Sequence, residues 1–209
     1  NNTALGTGAL QVNTIANDNT AVGTAALGLN TTGASNVAVG RNALAANTTG
    51  TQNTSLGFQA GNSITTGSNL TCIGYDADAT SATATNEITL GNASVATLRC
   101  QVTTITALSD ERDKKDIKDI GLGLDFVQKL KPVKFKWAMR DGTEKPDIFE
   151  AGFIAQDFQH VQEEMNAKWM GLVYESNPDK LEATPGKLIP ILVKAIQELM
   201  ERVKLLESQ

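Results

Sequence analysis

The run Ser109-Asp110-Glu111-Arg112-Asp113-Lys114-Lys115-Asp116-Ile117 gathers a hydroxyl, carboxylates, a guanidinium and amines into one short stretch. From the residues alone it reads first as a charged surface run, with Ser109 or Asp110 placed as a helix N-cap whose side-chain oxygen accepts a backbone N–H. The same stretch sets a serine and a lysine five positions apart, a spacing too common to carry chemistry unaided. Other chemistries have less to work with. His160 is the single histidine, so a Ser-His-Asp triad would have to use it, and nothing in the sequence brings it near a particular serine. Cys72 and Cys100 stand 28 positions apart with no CxxC and no companion histidines. They indicate neither a zinc site nor a disulfide framework, and buried free thiols are expected. Hydrolysis of an external glycan would need paired carboxylates on a groove, for which Asp76, Asp78 and Glu87 are the only acids in the later repeats. No metal or cofactor is expected.

The totals narrow the partners. A net charge of −5 and a pI near 4.9 argue against a sequence-independent grip on nucleic-acid phosphates, which needs clustered Lys and Arg. No stretch approaches the roughly 18 apolar residues of a membrane span. Asn1-Asn2-Thr3 has no targeting character, so a soluble chain starting at a processing boundary is expected.

The first half is a repeat. Gly6, Gly23, Gly40, Gly57, Gly74 and Gly91 recur every 17 residues, inside words such as Asn19-Thr20-Ala21-Val22-Gly23 and Asn36-Val37-Ala38-Val39-Gly40. A second register holds Ala9, Ala26, Ala43, Ala60 and Ala77, and turn chemistry fills the rest, as in Asn30-Thr31-Thr32-Gly33 and Asn47-Thr48-Thr49-Gly50. Each unit therefore predicts one or two very short strands joined by turns, with small residues (Ala4, Ala21, Ala38, Ser55, Cys72) letting neighbouring backbones approach. One reliable large aliphatic per unit returns about 1.5–3 kcal/mol when buried, against roughly 1–2 kcal/mol of backbone entropy for each ordered residue. A core shared among several chains, with repeats stacking end on end, is the natural remedy.

These words resemble the head repeats of trimeric autotransporter adhesins and related repeats of phage tail fibres. The resemblance covers residues 1–94 and implies a mainly β shaft, a left-handed parallel β-roll in a trimer, though with a longer period than is usual in those heads.

Past Arg99 the composition changes. Residues 1–108 hold 2 basic and 4 acidic residues out of 18 and 23, and eight of the ten aromatics lie beyond them. A connector over 95–108 and a separate domain over 109–209 follow. Its predicted order is a charged segment at 109–119, a helix near 121–130, a strand Val133–Trp137, a turn at Asp141-Gly142, a strand near 149–155, a helix near 157–166, a strand near 170–174 and a terminal helix. That helix, about 188–207, carries a heptad with Ile189, Ile196 and Val203 at one core position and Leu192, Leu199 and Leu206 at the other. This is a parallel coiled-coil seam. β-branched residues at a with Leu at d usually favour two strands, so the shaft and globular part are expected to set the oligomer number.

Four blocks occur in order: Ser109-Asp110-x-Arg112-x-Lys114-x-x-Ile117, Leu130-Lys131-Pro132-Val133-x-Phe135-x-Trp137, Gly152-Phe153-Ile154-Ala155-Gln156-Asp157, and Leu192-Val193-Lys194-Ala195-Ile196-Gln197-Glu198-Leu199. Together they resemble the intramolecular chaperone auto-processing domain that ends many phage tail fibres and endosialidases and occurs in the myelin regulatory factor. The resemblance implies an α+β domain that trimerises the nascent fibre and then cleaves the bond before its own serine. Carried onto this chain, Ser109 is the nucleophile, Lys114 the general base, Leu108–Ser109 the scissile bond, and Asp110 and Arg112 support the site. A lysine takes a proton only as the neutral amine, which burial and cations such as Arg112 and Lys115 would favour. The implied partners are two further copies of the chain, upstream fibre or virion components, and a host surface glycan or protein; the implied location is the virion. The alternative is a non-cleaving trimeric adhesin whose C-terminal domain stays as a cap or receptor-binding module.

Overall fold

The computed structural model describes residues 1–95, 97–101, 107, 109–140, 142 and 145–208. Two compact units make up the chain, one of Asn1–Thr97 with Met139–Lys145, the other of Leu98–Ala138 with Pro146–Gln209. Half of the expected connector, including Leu108 of the expected scissile bond, lies outside the described residues, as does Asp141 of the expected turn.

In the first unit each repeat contributes one strand: β1 (Thr3–Leu5), β2 (Thr20–Val22), β3 (Val37–Val39), β4 (Thr54–Leu56), β5 (Thr71–Ile73) and β6 (Ile88–Leu90). They pair in parallel and in sequence order, each residue opposite its equivalent 17 positions on, giving a parallel β-solenoid. The central residue of each inner strand points inward, and Ala21, Ala38, Ser55 and Cys72 are buried. The glycine column is required by the rung spacing. Gly23 has φ +132°, and a Cβ there would lie 2.6 Å from the Gly40 carbonyl carbon. Leu27 and Leu44 also take left-handed backbone, φ +49° and +50°. Their full burial returns roughly 1.5–3 kcal/mol each, which offsets a strain of about 1–3 kcal/mol.

Asparagine does more here than make turns. Asn19, Asn36 and Asn53 are buried and stack as a ladder. The Asn36 backbone N–H donates to Asn19 Oδ1 (2.9 Å) and its Nδ2 to Gly50 O (2.9 Å), while its own Oδ1 accepts from the Asn53 N–H (2.9 Å). The ladder ends where Leu70 takes the next place, its N–H still donating to Asn53 Oδ1. Asn30 and Asn47, expected as turn residues, are fully buried in a second ladder. That one ends against Ile64, which offers no donor, and Asn47 Oδ1 is left without a partner. Cys72 is buried as expected; Cys100 is exposed, a correction that follows from its lying beyond the last rung.

The second unit is an α+β domain. Its elements are α1 (Leu124–Val127), β7 (Val133–Phe135), β8 (Glu150–Gly152), α2 (Ala155–Glu164), β9 (Val173–Tyr174), β10 (Glu182–Ala183) and α3 (Ile189–Glu207). β7 pairs antiparallel with β8, and β9 with β10. The helix expected near 121–130 is a single turn, since Gly121 and Gly123 precede it and Pro132 follows. Its core holds Phe126, Phe158, Val161, Leu172, Leu188 and Ile191. Fewer aromatics are buried than the count of eight suggested: Trp137, Phe149 and Trp169 are exposed. Phe149 instead carries Lys134 Nζ 4.1 Å from its ring centroid.

Helix α3 has two apolar faces. Ile191 and Ala195 pack into the domain, whereas the six heptad residues Ile189, Leu192, Ile196, Leu199, Val203 and Leu206 are exposed. Glu198 anchors the inner face, its Oε2 accepting from the Leu124 N–H at 2.8 Å. The carboxylate thereby caps α1, and a Cβ at Gly123 would collide with it. This bond, together with Lys194 and Arg202, holds Glu198 below its ordinary value.

Candidate functional site

The charged run is not a long helix. It folds as one 3-10 turn, Glu111–Asp113, with Asp110 as N-cap and Lys114 closing it through a 3.0 Å bond from its N–H to Glu111 O. Asp110 Oδ1 accepts from the Arg112 N–H at 2.9 Å, the cap that a short acid supplies. Its carboxylate also takes the Arg112 guanidinium bidentately, Nε at 3.0 Å from Oδ1 and one terminal nitrogen at 2.6 Å from Oδ2. The pairing holds the Asp110 carboxyl below the usual carboxylate range and raises Arg112 in return. Arg112 is thus engaged with Asp110 and shapes the turn.

That turn reverses the chain far enough to bring Lys114 back over Ser109. Lys114 Nζ lies 2.6 Å from Ser109 Oγ and 3.2 Å from Ser109 O. The hydroxyl and the amine are therefore within proton-transfer distance, and both residues are exposed in the single chain. Leu108, the acyl side of the expected scissile bond, falls outside the described residues. The four residues carried over from the resemblance thus form one cluster, Ser109–Lys114 hydrogen-bonded and Asp110–Arg112 paired beside it.

The other candidates are placed elsewhere. His160 sits on α2 beside Gln128, Lys131 and Asp157. Asp78 accepts from the Ser63 and Ala79 N–H groups, and Glu87 from the N–H and hydroxyl of Thr80, so two of the three acids of the later repeats cap turns. Among the described residues no group of three or more His, Cys, Asp or Glu could hold a metal ion, and no helix is long and apolar enough to cross a membrane. The Glu198–Leu124 contact escaped the sequence because its partners are 74 positions apart.

A parallel solenoid followed by an α+β domain opening on a Ser-Lys pair is the class that fold and site define. Residues 109–166 match the model of the peptidase family described as chaperone of endosialidase, and an intramolecular chaperone domain there stands on that match. It begins at Ser109 itself. No curated protein and no solved structure matches the chain.

Proposed function

We propose that this chain is the C-terminal part of a viral tail fibre or adhesin whose second unit drives homotrimer assembly and then releases itself by cutting Leu108–Ser109. The observation that carries the reading is the 2.6 Å approach of Lys114 Nζ to Ser109 Oγ at the first residue of the family match. With Lys114 neutral, its lone pair accepts the hydroxyl proton while Oγ attacks the Leu108 carbonyl carbon. The Leu108–Ser109 C–N bond breaks, the Lys114 proton passes to the departing Ser109 nitrogen, and an ester joins Leu108 to Oγ. Water then hydrolyses the ester, leaving a Leu108 carboxylate, the Ser109 hydroxyl and a free amine. Asp110 and Arg112 hold the turn that sets this distance.

Assembly supplies what one chain lacks. Exposed Lys114 is solvated, and burying it against neighbouring copies would favour the neutral amine. The open heptad face of α3 supports such association, since its six apolar residues are exposed in the single chain. Cleavage thereby reports completed assembly. The fibre is made in the host cytoplasm and carried on the virion, joined to upstream components.

Intact mass under denaturing conditions tests the reading on the wild type, Ser109→Ala and Lys114→Gln. Two fragments meeting at Leu108/Ser109 are expected from the wild type, none from Ser109→Ala, and cleavage slowed about 10²–10⁴-fold in Lys114→Gln. An uncut wild type would leave the second unit as a permanent cap, the non-cleaving adhesin.

A further inference from the structure

The segment that carries the Ser-Lys pair is tied to its domain late. Among the described residues, 109–122 hydrogen-bond only within themselves: the pairing of Asp110 with Arg112, the contact of Lys114 with Ser109, and the two backbone bonds that close the 3-10 turn. Residues 109–119 are exposed throughout, and Ile120 and Leu122, both half-buried, are the first to pack against the core. Such a segment sets the distance between Ser109 and Lys114 through its own turn, but leaves the place of the pair on the domain loosely fixed. The next hydrogen bond along the chain runs from the Leu124 N–H to Glu198 Oε2, ten residues past Lys114.

Glu198 stands on the helix that carries the heptad seam, between Ile196 and Leu199, whose side chains are exposed. Its carboxylate is held from two sides, Oε2 by the Leu124 N–H at 2.8 Å and Oε1 by Lys194 Nζ at 3.6 Å, one turn back along α3. Helix α1 depends on an acceptor from outside, because Gly123 supplies no side-chain cap to the free N–H groups of a four-residue helix. Gly123 also leaves the space that the carboxylate occupies. The seam helix and the root of the Ser-Lys segment therefore meet at one side chain.

We propose that Glu198 is a positioning residue for self-cleavage, which transmits closure of the α3 seam to Ser109 and Lys114 by fixing the root of residues 109–122. This deepens the self-cleavage reading above and rests on it. When neighbouring copies hold α3, Glu198 holds the start of α1, and Ile120 and Leu122 lay the segment along the core from a fixed point. The role is separable from folding and from assembly. Phe126 anchors α1 in the core independently of the carboxylate, and the exposed seam residues lie on the opposite side of α3 from Ile191 and Ala195, which face the domain.

Glu198→Ala and Glu198→Gln in the full chain test this, with oligomer mass read by sedimentation and cleavage by denatured mass. Glu198→Ala should assemble as the wild type does and be cut about tenfold to a hundredfold more slowly, the cost of misplacing reacting groups. Glu198→Gln keeps an oxygen that can accept from the Leu124 N–H and should cleave within about threefold of the wild type. With Ser109→Ala added to keep the chain uncut, Glu198→Ala should quicken amide exchange at Asp113, Lys114 and Leu124 while α2 stays protected. Unchanged cleavage in Glu198→Ala, slowing that comes with lost oligomers or an unprotected α2, or a Gln variant as slow as Ala would overturn the proposal and leave self-cleavage standing. An uncut wild type would refute both.

Discussion

Replacing Asn53 by Ala should open the solenoid at the β4–β5 rung, by an amount its hydrogen bonds set. Asn53 Nδ2 donates to Gly67 O at 2.8 Å, and its Oδ1 accepts from the Leu70 N–H at 3.1 Å. For both groups Asn53 is the hydrogen-bond partner recorded among the described residues, and both bonds are buried. Truncation leaves a buried carbonyl and a buried N–H unsatisfied, about 1–3 kcal/mol each, so a loss of about 2–6 kcal/mol is expected. Cys72 lies two residues beyond Leu70 and reports the loss directly. Its thiol is buried and its pKa pushed up to about 11, chiefly by that burial, with help from Asp78 and Glu87. It should react with a disulfide reagent only when the rung opens, while exposed Cys100 reacts at once. At 1.4 kcal/mol per tenfold, Asn53→Ala should speed the slow phase at least about thirtyfold. Asn53→Asp keeps the acceptor for Leu70 but turns a carboxylate oxygen toward Gly67 O, and should be no better tolerated at neutral pH. A slow phase changed by less than about threefold in Asn53→Ala would show that the ladder is not what holds the rungs.

Three further outcomes follow from the same geometry. Gly23→Ala, with φ +132° and a Cβ 2.6 Å from Gly40, should destabilise the shaft by about 2 kcal/mol or more in urea unfolding, because neither the backbone angle nor the rung spacing can yield cheaply. Glu198 titrates below its ordinary value of 4.5 in the folded domain, so its contribution is present above that value and lost as pH falls through the depressed one. Near-UV melting of the second unit should therefore lose less stability on acidification in Glu198→Gln than in the wild type, and an identical pH profile would remove Glu198 from the account. Ile196→Asp on the open face of α3 should abolish oligomers in sedimentation and, with them, cleavage, while leaving the buried Ile191 face folded.

How much the sequence disclosed differs between the halves. A 17-residue register is a direct image of parallel pairing, so the solenoid is legible in the sequence from Gly6 to Gly91. Less legible was which asparagines turn inward, since a buried amide and an Asx turn use the same residue; Asn30 and Asn47 look like turn residues and are core. In the second half, Ser109 and Lys114 could be singled out only through the four ordered blocks, because their meeting depends on a 3-10 turn too short to leave a periodic pattern. Aromatic count overstated the core, as Trp137 and Trp169 remain outside. Long-range capping of α1 by Glu198 has no local signature at all.

Native mass spectrometry of the full chain, followed by denaturation of the same sample, tests the central claim most directly. Three copies in the native spectrum are expected, together with two denatured fragments, the second beginning at Ser109, and with Ser109→Ala still three copies but uncut. A monomer, an uncut wild type, or fragments that persist in Ser109→Ala would contradict assembly-coupled self-cleavage at Leu108–Ser109.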